Sequence, residues 1–262
     1  LRGFAAARIV KPAIALAGVC LIAACTARPP NHPAGEPFDP YEQDNRFVYD
    51  YNRALDRTFI RPVAIGYAEG VPVEVQEVVG NFSDNLSLPG AVVNNVLQAN
   101  MRGAFQDTFR FTVNTTLGIG GLLDPATGFG MAEPTDADFG QTLHVWGVRE
   151  GAYLVVPVTG PSTERAAAGR FVDLFLDPLS YVIPTPEAYY GTGATVLSKL
   201  GDRGRRADTI DSVLYESADG YAQLRSLYLQ NRRFELGNGD SSAYLDPYDD
   251  PYAEAQEDPY AE

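Results

Sequence analysis

The apolar residues between Val75 and Leu117 come in short runs at helical spacing, cut by proline and glycine, and no other feature limits the fold as much. Val75, Val78, Val79, Phe82 and Leu86 form one run; Val92, Val93, Val96 and Leu97 form a second; Phe105, Phe109, Val113 and Leu117 form a third. Recurrence every three or four residues marks one face of an amphipathic helix. Leu88-Pro89-Gly90 and Gly118-Ile119-Gly120-Gly121 divide the runs, because proline lacks the amide donor and glycine leaves the helix easily. The pattern predicts helices over about 73–86, 90–99 and 102–117. No run reaches the ~20 apolar residues needed to cross a bilayer. The faces must therefore meet one another in an ordinary core or meet some other apolar medium, and periodicity alone does not choose between them.

The N-terminus bears on that choice. Arg2, Arg8 and Lys11 precede an apolar stretch, Ala13 to Ala24, that ends at Ile22-Ala23-Ala24-Cys25. A basic region, a short apolar segment and small residues before a cysteine are the ordered parts of a bacterial lipoprotein signal. Residues 1–24 are expected to be removed and Cys25 to carry the lipid. Thr26, in place of an aspartate, favours the outer membrane. With Cys25 acylated no second cysteine remains in the mature chain, which excludes a disulfide. Residues 25–38 are rich in proline and polar side chains and are expected to form a tether.

The folded body is expected over 39–234. Further helices are predicted at Asn45 to Phe59, with Phe47, Tyr51, Leu55 and Phe59 on one face, and from Pro62 to near Gly70. Others follow from Ser162 to Leu176, from the cap at Thr185-Pro186-Glu187, over 204–216 and over 219–234. Gly151 to Gly160 is the one β-like stretch, and Pro157 restricts it to an edge strand or a hairpin. Residues 235–262 repeat Asp-Pro-Tyr three times and hold nine of the chain's 34 acidic residues with no Lys or Arg, a composition that predicts a disordered tail. The net charge of −14 argues against nucleic acid as a partner, which requires a basic surface.

Catalytic chemistry is scarce. The histidines are His32, in the tether, and His144, so a Ser-His-Asp triad would rest on His144 alone. There is no Gly-x-Ser-x-Gly elbow, and Gly239-Asp240-Ser241, an esterase-like block, lies in the tail. No zinc-ligand spacing occurs. Gly118–Gly121 is followed by Leu122-Leu123-Asp124 rather than by the lysine of a phosphate loop. The chain is expected not to be an enzyme, and to carry no metal and no cofactor beyond the covalent lipid on Cys25.

Ordered blocks then carry a resemblance. They are Asp39-Pro40-Tyr41-Glu42 with Asn45-Arg46; Tyr51-Asn52 to Leu55-Asp56 and Arg61-Pro62-Val63-Ala64; Asn81-Phe82, Asn85-Leu86 and Pro89; Asn94 with Leu97-Gln98; and Arg110-Phe111, Asn114-Thr115, Leu117-Gly118, Gly120-Gly121 and Asp124. Asp138 to Leu143, Trp146-Gly147-Val148, Leu154-Val155 with Pro157, and Gly160-Pro161-Ser162 complete the set. In this order they resemble the VacJ/MlaA lipoproteins. The resemblance implies a mainly α fold, a ring (donut) of short amphipathic helices held in the inner leaflet of the outer membrane, with one short β-like hairpin. It implies a polar channel for mislocalised outer-leaflet phospholipid, a trimeric porin and a periplasmic lipid-carrier protein as partners, and no catalysis. Asn81, Asn85, Asn94, Asn114 and the turn glycines Gly118, Gly120 and Gly121 are the candidates for lumen or gate. For the same residues, helix capping and buried turn hydrogen bonding is the plainer role. A structural or adhesive lipoprotein with a soluble helical body is the alternative.

Overall fold

The structure is a computed structural model that describes residues 26, 28–29, 31–32, 36–184 and 187–237. The expectations for the signal, Cys25, the tail with its Asp-Pro-Tyr repeats, Gly239-Asp240-Ser241 and the cap at Thr185-Pro186 lie outside the described residues. Helix α1 (Glu42–Leu55) runs through a wider π turn (Asp56–Ile60) into α2 (Arg61–Gly70). Then come α3 (Val73–Leu97), α4 (Met101–Thr116), the single turn α5 (Pro125–Gly128) and α6 (Phe139–Val145). Strands β1 (Tyr153–Val156) and β2 (Gly160–Thr163) form an antiparallel hairpin with Tyr153 opposite Thr163. Helices α7 (Glu164–Leu176), α8 (Leu179–Val182), α9 (Ala188–Arg205) and α10 (Ala207–Asp211) follow, then a second π turn (Ser212–Glu216) and α11 (Gly220–Leu236). The mainly α class and the single hairpin are as expected from the sequence.

Two expectations are corrected. Leu88-Pro89-Gly90 does not end a helix, because α3 is continuous through Pro89. The missing donor is outweighed by packing on both sides: Leu88 and Ala91 are buried, and α3 lies against α4 and α9. Ser162 belongs to β2 rather than to the following helix, which begins at Glu164 with the Thr163 hydroxyl as its cap.

The packing closes on itself. Helix α1 leads through its π turn into α2; α2 packs on α9, α9 on α3, α3 on α6 and α7, α7 on the hairpin, and β1 on α1. The α1–β1 contact shows how the sequence closes this circuit. Asn45 and Asn52 are seven residues apart, two helical turns, so they share a face. Asn45 donates to the Tyr153 carbonyl at 3.0 Å and accepts from the Val155 amide at 2.8 Å. Asn52 donates to the Val156 carbonyl at 3.0 Å and accepts from the Val158 amide at 2.8 Å. Two amides thus satisfy the free edge of β1 as a third strand would. Arg203, near the C-terminus of α9, bridges Asp56 and Asp211, each at 2.7 Å, and Arg225 of α11 reaches Asp39 at 2.7 Å.

The apolar core is small. Tyr49, Tyr153, Val155, Tyr221 and Leu229 form one cluster; Phe139, Leu143 and Val172 form another. The second sits where α6 crosses α7 closely enough that a Cβ on Gly169 would lie 2.3 Å from the Gly140 nitrogen. Much of the remaining interior is polar.

Candidate functional site

Helix α4 shows the inversion most clearly. Its buried face is Gly103, Ala104, Asp107, Arg110 and Asn114. Its outward face carries Phe105, 68% exposed, and Phe109, 63% exposed. Helix α1 likewise buries Asn45 and Tyr49 while exposing Phe47, Tyr51 and, beyond it, Phe59. Leu117, Ile119, Leu123, Phe129, Trp146, Tyr189 and Tyr190 are also exposed. Large apolar side chains gathered on one exposed helix face, as at Phe105 and Phe109, fit contact with lipid or protein better than contact with water. Among the described residues no helix is long and apolar enough to cross a membrane.

Most of the inward polar atoms have partners, with Arg110 Nε and Asn85 Oδ1 as exceptions. Arg110, 2% exposed, donates to Asp124 Oδ2 at 2.9 Å, to the Thr127 hydroxyl at 2.9 Å and to the Ala132 carbonyl at 2.7 Å. Asp107 accepts from Asn95 at 2.9 Å and from the Thr135 amide at 3.2 Å. Each such group left unbonded would cost about 1–3 kcal/mol, so the network both permits the inversion and fixes it.

A cavity of about 640 Å³ lies between α3, α7, α8 and α9. Asp84, Asp173, Asp177, Glu187 and Asp202 line it with Lys199; Phe82, Leu86, Leu176, Leu179 and Ile183 supply apolar wall. Lys199 is the one Lys or Arg among these lining residues. Asp84 opens to solvent through the cavity, yet protein surrounds it, and that burial pushes its carboxyl up, with Asp136 and Asp202 adding repulsion. Burial likewise pushes Asp173 up, against hydrogen bonds from Asn94 and the Phe139 amide. The wall is therefore acidic, with one cation and an apolar strip, an arrangement fitted to an amphipathic guest carrying a charged head.

Of the seven candidate residues, Asn94 lines this cavity, donating to Asp173 at 2.9 Å and accepting from Thr142 at 3.1 Å. The other six gather at the α4–α5 turn. Ile119, Gly120 and Gly121 all have positive φ there, the two glycines at 73° and 91°. A Cβ on Gly121 would fall 2.4 Å from Asn85 Nδ2, and one on Gly118 would fall 2.4 Å from the Asn114 and Leu123 carbonyl oxygens, whereas around Gly120 the space is open. Asn85 donates to the Thr115 hydroxyl at 3.1 Å, Asn81 reaches the Leu122 carbonyl at 3.5 Å, and Asn114 bridges Asp124 at 2.9 Å and the Ala126 amide at 3.1 Å. Asn81, Asn85 and the close approach at Gly121 hold the turn onto α3, while Asn114 and Gly118 brace the turn itself. Sequence reasoning missed Asp84, Asp173 and Lys199. The available signal was compositional: Lys199 is one of two lysines in the chain.

His144 lies 3.3 Å from Arg165 through Nδ1; its recorded partner is a guanidinium, not the serine and carboxylate a triad requires. Burial and the adjacent Arg165 hold its pKa below the ordinary value. No group of three His, Cys, Asp or Glu placed to hold a metal occurs among the described residues.

Comparison with known proteins places this arrangement. The profile of the MlaA lipoprotein family matches residues 37–235. The intermembrane phospholipid transport system lipoprotein MlaA of Escherichia coli is 34% identical over 84% of this chain and 85% of its own length. A protein of Rickettsia bellii is 36% identical over 75% of this chain and 76% of its own. A solved structure, from work on the structural basis for maintenance of bacterial outer membrane lipid asymmetry, superposes with a TM-score of 0.65 at 33% identity, covering 76% of this chain and 98% of the other.

Proposed function

The chain belongs to the MlaA lipoprotein family, and on that premise we propose that it is an outer-membrane lipoprotein whose ring of helices gives mislocalised phospholipid a polar passage out of the outer leaflet. The observation that carries this reading is the inverted helix: apolar side chains outward, buried amides and ion pairs inward, and an acidic, single-lysine cavity between α3 and α9. Moving a charged headgroup through hydrocarbon strips its hydration at a cost of many kcal/mol. A polar wall replaces part of that hydration while the acyl chains follow the apolar strip of Leu86, Leu176 and Ile183. The acidic side chains favour a headgroup ammonium, and Lys199 meets the phosphate.

Lipidation at Cys25 would anchor the ring on the periplasmic side, with residues 25–38 as the tether. The outward aromatic faces suit a trimeric porin as well as lipid, and a periplasmic carrier would receive the extracted molecule. In this reading the protein moves lipid and catalyses nothing, and it needs no cofactor beyond its covalent lipid.

Lys199→Asp tests the passage. It leaves the cavity with carboxylates alone and no partner for phosphate. Cells relying on this variant should accumulate phospholipid in the outer leaflet as a deletion strain does, with the protein present at normal abundance. Outer-leaflet phospholipid at the wild-type level would remove the cavity between α3 and α9 as the route.

A further inference from the structure

A second cavity, of about 630 Å³, lies where the chain leaves Cys25 and shares no lining residue with the first. Thr26, Arg28, His144, Arg149, Glu150, Arg165 and Arg233 line it. Four guanidinium groups face one carboxylate, in a chain whose net charge is −14. Arg233 is matched by Glu150 at 3.2 Å. Among the described residues, Arg28, Arg149 and Arg165 have no carboxylate within salt-bridge distance.

Arg165 is the decisive member. It is 4% exposed, and its recorded hydrogen bonds run from Nη1, to the Val148 carbonyl at 3.0 Å and to His144 Nδ1 at 3.3 Å. A buried charge without a bonded anion is costly, and burial here opposes the charged form of Arg165 more strongly than the nearby Glu150 supports it. Glu164 stands nearby but is occupied, accepting from the Thr26 amide at 2.7 Å, the Thr26 hydroxyl at 2.7 Å and the Ala152 amide at 3.1 Å. Those bonds pin the residue next to Cys25 at the rim of the cavity.

We propose that this cradle binds a phosphate group, supplied by the headgroup of a glycerophospholipid beside the anchor. The phosphate chemistry rests on the arginines, whose planar forks suit phosphate oxygens. The lipid source rests on the lipoprotein reading above: acylation of Cys25 would hold the Thr26 rim at headgroup depth.

The test uses full-length acylated protein in uncharged detergent, titrated calorimetrically with dihexanoylphosphatidylglycerol, with dihexanoylglycerol and with inorganic phosphate. The phospholipid should bind saturably, and Arg149→Gln, an exposed and unpaired position, should weaken binding about tenfold through loss of a charge-assisted contact. Arg165→Lys should weaken it similarly, because the charge stays and the fork is lost. Equal binding of dihexanoylglycerol, or wild-type affinity in Arg149→Gln, overturns the proposal. Inorganic phosphate bound as tightly as the lipid would assign the cradle to free phosphate and overturn the headgroup assignment. The two readings fail separately: a silent Lys199→Asp in cells with intact Arg149-dependent binding removes the passage and leaves the cradle, and the reverse pairing removes the cradle alone.

Discussion

Arg110→Ala should lower the stability of the folded protein by about 3 kcal/mol, the lower part of the range for breaking a buried ion pair. The lower end applies because Arg110 is almost wholly buried while the Asp124 side chain keeps 25% exposure. The loss has three parts: the Asp124 carboxylate loses its cation, the Ala132 carbonyl loses its donor, and α4 loses its tie to the segment after α5. For a domain of this length the change corresponds to a fall in melting temperature of roughly 6–12 °C. Arg110→Lys should fall between, keeping the charge without the fork.

The acid limb of stability should change as well. Burial pushes Asp124 up, but hydrogen bonds from Thr127 and Asn114 and the Arg110 charge outweigh it and hold the carboxyl below its ordinary value of 3.8. A depressed carboxyl contributes stability that is fully present above its unfolded pKa and is lost as pH falls through the folded one. Thermal unfolding from pH 6 to pH 2 should therefore show a shallower acid decline in Arg110→Ala than in wild type. An unchanged melting temperature would show that the inward polar network does not hold the ring.

Replacing both Phe105 and Phe109 with Glu should have the largest effect on membrane association. Both side chains are largely exposed, and the buried clusters include neither, so the stability in detergent should stay within about 1 kcal/mol of wild type by the usual behaviour of surface substitutions. A carboxylate at hydrocarbon depth costs about 2.5–3.5 kcal/mol, and less near the interface. In a form secreted on a cleavable signal without Cys25, the parent should sediment with membranes and the double variant should move to the soluble fraction. Identical fractionation of the two would return the outward aromatics to an ordinary surface.

How far the sequence alone reaches can be seen along α3 and α4. The 3.6-residue spacing located both helices, and the glycine run located the turn that follows. Continuity through Pro89 was not legible, because packing on α4 and α9 decides it and local propensity does not. Nor was the sense of each face. Phe105 and Phe109 mark one side of α4 whether that side points in or out; the inverse pattern, Asp107, Arg110 and Asn114 on the opposite side, is equally periodic and becomes decisive only when its partners Asp124, Thr135 and Ala132 are placed. The ordered blocks supplied the family and with it the expected ring. The residues of the cavity wall remained hidden because Asp84, Asp173 and Lys199 come from three helices separated by long stretches of chain, and nothing local distinguishes them from solvated surface charges.

The central claim is that apolar side chains face lipid while a polar cavity runs inside. Nitroxide labels at positions 105 and 84, in full-length protein reconstituted into bilayers, test it directly through accessibility to oxygen and to a water-soluble nickel complex. Position 105 should be relaxed strongly by oxygen and weakly by nickel, and position 84 the reverse. A label at 105 open to nickel and shielded from oxygen would place that face in water and contradict the account.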